Sequence, residues 1–252
     1  MTAAGTVGFL VRAAREVPAG ETVFTGFHWP MLAAHLARRR GVPFHQATEA
    51  GAVFNAPTRL LPTSTTEYPA YDDAVCFAAG TPEALFGLGR RFDRVLLDAA
   101  NVDLRGCVNS SAVGPLTRPR VRLPGGGGAP DIAAAARQLV LLHGGGDPAR
   151  IQQRVEHVTA RPRPGVRPRL VTRFGVLELG ERPRLVERVA EPGSDAFERH
   201  LRSLGADVDA AVDAAPASAA EEHDARAVLE EAAQRGYRVA RAALAEPVGS
   251  AR

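Results

Sequence analysis

Residues Arg122 to Ala133 read RLPGGGGAPDIA, with four glycines side by side before Ala-Pro-Asp and a helix-like run. Glycine loses more conformational freedom on folding than any other residue, so such a run calls for a reason. A dinucleotide loop needs G-x-G-x-x-G. Counted from Gly125 and Gly127 the third position is Pro130, and counted from Gly126 it is Asp131. A Walker loop needs a lysine, and the chain has none, which also excludes Schiff-base chemistry. Two readings remain. One is a flexible linker, which the absence of serine and the apolar segments on both sides argue against. The other is a loop whose bare amides approach a ligand closely. Backbone N–H groups at a helix start stabilise negative charge, standing or transient, and transient charge on an acyl oxygen needs donors with no side chain in the way.

The other reactive side chains are sparse. Cys76 and Cys107 have no metal or redox spacing, and His143 and His157 have no ligand spacing, so no metal site is expected. By residue type alone Glu49 is one acidic residue among many. Asn109 either donates its amide to a substrate or caps a turn. Asp131 fits the first turn of a helix, where the dipole favours acids. His28 either lines a pocket or packs beside Trp29. Cys107 is either a nucleophile or a small buried hydrophobe.

The composition suits a globular protein: 252 residues, 45% hydrophobic, net charge +3, every basic side chain an arginine. The arginines track the Ala-, Gly- and Pro-rich composition and carry few interleaved aromatics, so Arg38-Arg39-Arg40 and Arg161 to Arg169 (RPRPGVRPR) do not make a case for nucleic acid. No apolar run is long enough for a membrane span, and the start of the chain reads as an amphipathic helix, not a signal peptide. Only two cysteines, in no redox spacing, fit a reducing cytoplasm.

These groups must be held by a framework, and the pattern of elements is legible. Helices are expected over 4–16, over Pro30 to Arg40, and in TPEALFGLGRR with a Thr81 cap. Strands are expected in ETVFTGF, in Val42 to Gly51 running into a glycine turn, and as buried strands in DDAVCFAAG and Arg94 to Asp103. PDIAAAARQLVLLH begins as a helix and ends as a strand. VEHVTA and Arg169 to Gly180 read as strands, the latter a hairpin around Phe174-Gly175. Strands alternating with helices imply an α/β fold with a mostly parallel sheet flanked by helices. Residues 1–205 form the expected main domain. Residues 206–252 form an Ala/Glu-rich tail, a weakly structured linker within Ala211 to Arg226 leading to one terminal amphipathic helix.

Three stretches together carry a family resemblance. GGGGAPDIA resembles the glycine motif of the β subunit or β half of the family I CoA-transferases, G-x-G-G-A-x-D. ATEAG (Ala47 to Gly51) resembles that family's E-S-G or E-N-G, and NVDLRGCVNSSAVG (Asn101 to Gly114) its V-D-x-x-G-N-x-N-S turn. They occur in the family's order, within a match from about residue 20 to about 205, nearest the glutaconate CoA-transferase β subunit.

The resemblance implies a β subunit that moves CoA between an acyl-CoA and a carboxylic acid. It makes Glu49 the nucleophile, passing through a glutamyl-CoA thioester. The amides of Gly127, Gly128 and Ala129 and the side chain of Asn109 become oxyanion or CoA-binding donors. Coenzyme A is then a substrate, with no tightly bound cofactor, and the partner is a separate α-type subunit. Ala50 and Cys107 depart from the family pattern. They keep open an acyl-CoA hydrolase, ring-opening enzyme or decarboxylase on the same fold, and a non-catalytic structural subunit.

Overall fold

A computed structural model describes residues 3–67 and 70–245. The last part of the tail, residues 246–252, lies outside the described residues. The chain opens with α1 (Ala3–Arg15), β1 (Thr22–Thr25), α2 (Trp29–Arg39), β2 (His45–Ala47), β3 (Ala52–Phe54) and β4 (Val75–Ala78). There follow β5 (Arg94–Asp98), β6 (Val102–Asp103), β7 (Ala112–Val113), β8 (Val121–Arg122), α3 (Ala129–Ala135), β9 (Gln138–His143) and β10 (Ile151–Gln152). The remainder is β11 (Arg169–Thr172), β12 (Gly175–Glu178), β13 (Arg184–Arg188), α4 (Ser194–Ser203), β14 (Val212–Asp213), α5 (Ala219–Gln234) and α6 (Arg238–Leu244).

Ten strands form one sheet in the order β14-β13-β12-β11-β9-β5-β1-β2-β3-β4. Its centre, β11-β9-β5-β1-β2, is parallel, and antiparallel hairpins extend both sides. The central strands are apolar on both faces because both are covered. Val23, Leu96, Val140, Leu142 and Val171 face α1, α2, α5 and α6. Phe24, Val95, Leu97, Leu139, Leu141 and Leu170 face α3 and α4. Successive residues alternate between these layers, as strand pleating requires.

Helix α2 follows β1 on the first face and α3 follows β5 on the second, although β1 and β5 are neighbours. Adjacent strands whose connections leave to opposite faces open a crevice at their carboxyl ends, where ligands bind in open α/β sheets. The carboxyl ends of β1, β2, β5 and β9 lead to His28, Glu49, Asp98 and His143.

Five expectations change. DDAVCFAAG does contain β4, but as an edge strand, with Phe77 50% exposed. VEHVTA is not a strand: only Ala160 bridges to Val108. Thr81 does not cap its helix, because Ala84 N–H donates to the Gly80 carbonyl and so draws Thr81 inside the first turn. The single terminal helix is two, α5 and α6, broken at Gly236 with φ +97°. The expected linker is largely structured: β14 joins the sheet, and Ser218 starts α5 with a capping box to Glu221. The buried Ala225, Val228, Leu229 and Ala232 of α5 share the core of α1 and α2.

The Arg38 cluster is also resolved. Arg38 is buried, lies 4.3 Å from the Phe44 ring centre and donates to the Phe44 carbonyl. Arg39 and Arg40 both pair with Asp224 of α5, so the triplet joins helices within the chain.

Candidate active site

Glu49 stands at the tip of a hairpin whose sequence dictates its shape. Ala47 of β2 pairs with Val53 of β3, and Thr48 N–H donates to Ala52 O at 3.0 Å. Glu49-Ala50-Gly51 is thus a three-residue loop, closed by Gly51 N–H to Thr48 O at 3.0 Å. Such loops end in a left-handed residue, and Gly51 has φ +88°. A Cβ there would also run into the Ala79 carbonyl. The glycine of the E-A-G stretch therefore fixes where the glutamate points.

The glycine run meets it from the other side. After the β7–β8 hairpin, Leu123 N–H donates to Ser111 O and Gly125 N–H to Ser110 O, at 3.0 and 2.7 Å. Gly127 then takes φ +50°, and Gly128 N–H donates to Glu49 Oε1 at 3.1 Å. A Cβ on Gly127 would lie 3.2 Å from both carboxylate oxygens of Glu49. One on Gly128 would lie 3.4 Å from Glu49 Cδ and 2.5 Å from Leu85 Cδ2. The bare backbone is what lets the loop close over the carboxylate.

The other expected donors are already engaged. Ala129 N–H donates to Gly126 O at 2.9 Å, which shapes the turn into α3. Asn109 is buried and caps its own turn. Its Nδ2 donates to Ala112 O at 2.8 Å, and its Oδ1 accepts from Ser111 N–H at 3.0 Å and from Ala112 N–H at 3.3 Å. Asp131 is exposed in the first turn of α3.

Cys107 is half-buried in the same turn. Burial, then the nearby Asp103 carboxylate, push its thiol up, away from the thiolate a nucleophile needs. His143 Nδ1 contacts Ala99 O and His157 Nε2 contacts Gly114 O. Among the described residues no group of three or more His, Cys, Asp or Glu gathers as a metal site. Nor is any helix there long and apolar enough to cross a membrane.

Three participants carried no signal in sequence. Leu85, on a wide helical turn (Glu83–Gly87), roofs Gly128. Thr159 Oγ1 accepts from Ser110 N–H at 2.9 Å and lies 2.6 Å from Ser111 Oγ, tying the Asn109 turn to the glycine run. Asp98 Oδ2 meets His28 Nδ1 at 3.2 Å. His28, whose sequence position fits either a pocket or packing, has φ 59° and ψ −116°, the one positive-φ non-glycine residue among the described residues. Its ring lies 4.0 Å from that of Phe27.

Comparison with known proteins bears on this arrangement. No protein-family model matches the chain. The B-type subunit of the 3-oxoadipate CoA-transferase from Pseudomonas knackmussii is 35% identical over 134 residues, 52% of this chain and 51% of that protein. The B-type subunit of the glutaconate CoA-transferase from Acidaminococcus fermentans is 24% identical over 219 residues, covering 79% of this chain and 81% of that one. The crystal structure of that glutaconate enzyme superposes with a TM-score of 0.74 at 21% identity, over 86% of this chain and 91% of the matched one. The chain is similar in sequence and fold to the B-type subunits of CoA-transferases. The aligned part spans about half the length of the first relative. The same fold extends beyond transferases: the decarboxylase AibA/AibB has a TM-score of 0.76 at 27% identity, over 94% of this chain and 97% of that one.

Proposed function

We propose that this chain is a B-type subunit that transfers CoA between an acyl-CoA and a carboxylic acid, with Glu49 as nucleophile and an α-type chain as partner. The observation that carries the reading is the Gly128 amide on Glu49 Oε1, at 3.1 Å. It leaves Oε2 to attack the acyl carbonyl carbon. The C–S bond breaks, giving an acyl–glutamyl anhydride and CoA thiolate. The thiolate adds to Glu49 Cδ, and negative charge grows on Oε1, where the Gly128 N–H already points. The C–O bond breaks, the first acid leaves as a carboxylate, and a glutamyl-CoA thioester remains. The acceptor carboxylate adds to Cδ and expels the thiolate. The thiolate takes the new acyl group and frees Glu49.

No oxidant, metal or net proton enters the cycle. Gly128 is the oxyanion donor at the glutamyl carbon, and Gly127, with no side chain, leaves both carboxylate oxygens room. Ala129 and Asn109 hold the loop and the turn, and Asn109 keeps a second Nδ2 proton for a substrate oxygen. The anhydride must be kept from water, which the hairpin, Leu85 and a docked partner chain would do together.

Turnover in ¹⁸O-water tests the outcome, using the chain co-purified with its partner and the CoA esters of 3-oxoadipate and glutaconate with acceptor acids. Transfer passes oxygen only between carboxylates, so the released acid carries no label and a new acyl-CoA forms. Label in the released acid marks hydrolysis, and release of carbon dioxide marks decarboxylation; either contradicts the proposal.

A further inference from the structure

The transfer cycle gives the His28–Asp98 pair no task, yet the fold holds it under strain. His28 has φ 59° and ψ −116°, the first corner of a type II′ turn, where glycine is favoured because it has no Cβ. A histidine persists there only where its surroundings over-determine it, and such residues cluster at functional sites. Capping does not explain it, because the His28 side chain makes no hydrogen bond to the start of α2. Both neighbours are anchored. Trp29 is buried, edge-on to Phe9 with ring centres 5.1 Å apart, and fits over Gly144, where a Cβ would come within 2.5 Å of the indole nitrogen. Phe27 places its ring 4.0 Å from the His28 ring and 6.0 Å from that of Tyr237. Between these anchors the imidazole stands 38% exposed against Asp98.

Asp98 decides which nitrogen is free. Its Oδ2 lies 3.2 Å from His28 Nδ1, and a carboxylate only accepts, so Nδ1 carries the hydrogen. Nε2 then presents a lone pair and has no partner among the described residues. An imidazole whose tautomer and orientation are set by a carboxylate is a general base. Its position relates it to Glu49. β1 lies between β5 and β2, with Thr25 opposite Leu96 and Phe24 opposite Ala47. The chain therefore leaves the sheet toward His28 between the strand ends that carry Asp98 and Glu49. Each of those ends is one strand spacing away, about 4.8 Å. A short acyl chain reaches across that spacing.

We propose that His28, positioned by Asp98, is a proton-transfer site for the acyl group handled at Glu49, an inference that rests on the CoA-transfer reading. Its substrate is an acyl thioester with a hydrogen on the carbon next to the carbonyl, or one conjugated double bond further along. Nε2 takes that proton, the C–H electron pair moves into the thioester carbonyl as an enolate, and the imidazolium faces the Asp98 carboxylate. Return of a proton from Nε2 to carbon restores both imidazole and thioester, so nothing is consumed. The test runs the complex with its partner in deuterium oxide with glutaconyl-CoA and an acceptor acid, reading deuterium at C4 and new acyl-CoA in the same samples. His28→Gly removes the ring and relieves the backbone at φ 59°, so it folds, which thermal denaturation checks. The wild type is expected to label C4. The ratio of labelling to transfer falls about 10²-fold or more in His28→Gly and is partly restored by imidazole in the buffer. Asp98→Asn lowers the ratio as well, because an amide can donate to Nδ1 and leave the wrong nitrogen free. Transfer without label in the wild type, or undiminished label in His28→Gly, overturns the proton-transfer site and leaves the transfer reading standing. Neither transfer nor label overturns both.

Discussion

Gly128 donates its amide hydrogen to Oε1 of Glu49 at 3.1 Å, across 79 positions of sequence. The contact needs two loops shaped independently, the Glu49-Ala50-Gly51 hairpin and the run from Gly125 to Gly128. Each relies on glycine in a left-handed conformation, Gly51 at φ +88° and Gly127 at φ +50°. A surface glutamate needs neither.

Replacing Gly128 by alanine places a methyl 2.5 Å from Leu85 Cδ2 and 3.4 Å from Glu49 Cδ. Either the Leu85 side chain or the loop must shift, and a shift of the loop takes the amide off Oε1. Loss of one oxyanion donor lowers kcat by about 10²–10³-fold. Steady-state kinetics of Gly128→Ala in the assembled complex checks this, and a kcat within threefold of wild type contradicts the assignment.

Gly51→Ala acts one step earlier. At φ +88° an alanine costs about 1–2 kcal/mol, and its Cβ also meets the Ala79 carbonyl. Urea denaturation should show at least that loss, and activity should fall further than stability explains, because the hairpin aims Glu49. A variant as stable and as active as wild type would show that the turn does not set the carboxylate.

Both of these loops were legible in the sequence because glycine reports on local backbone geometry. Glu-Ala-Gly at a strand end and four glycines before Ala-Pro-Asp each need a special conformation where they stand. Leu85 and Thr159 were not legible, since a leucine over Gly128 and a threonine between Ser110 and Ser111 are long-range facts with no local signature. The central strands were found because both faces are buried. The apolar residues of β4 suggest a buried strand because they do not reveal that it is the last strand in the sheet. VEHVTA has the look of a strand, yet the Val155 amide turns to the Asp103 carboxylate instead of to a neighbouring strand. The terminal pattern reads as one helix because its periodicity runs through Gly236, where the chain breaks at φ +97°.

The tail carries a pH-dependent contact. Arg15 donates to both carboxylate oxygens of Glu221, at 3.1 and 2.8 Å, and to the carbonyls of Ala215 and Pro216. The Arg15 hydrogen bond is the largest influence on Glu221 and, with Ser218, brings its carboxyl down to about 2. A carboxyl depressed on folding stabilises above the unfolded value, about 4.3, and that contribution is lost as pH falls toward 2. Because Arg15 is partly exposed, solvent screening leaves about 1 kcal/mol at pH 7. Urea denaturation of Arg15→Ala should show that deficit at pH 7 and a shrinking one below about pH 4. A deficit independent of pH would assign the effect to the carbonyl contacts alone.

Cys107 gives a separate test of the nucleophile. Its thiol is raised by burial and by Asp103, so at pH 7 iodoacetamide should label it more slowly than the exposed Cys76. Peptide mapping of a timed reaction checks this. Faster labelling at Cys107 would mark an activated thiol and reopen its role.

Mass spectrometry of the co-purified complex after brief exposure to a panel of short acyl-CoAs tests the central claim most directly. The account predicts a CoA-sized mass on the peptide containing Glu49, stable to dithiothreitol on the timescale that removes disulfides, discharged by the acceptor acid, and absent from Glu49→Gln, which still folds and binds its partner. Turnover of acyl-CoA with the adduct on Cys107, or with undiminished activity in Glu49→Gln, would contradict it.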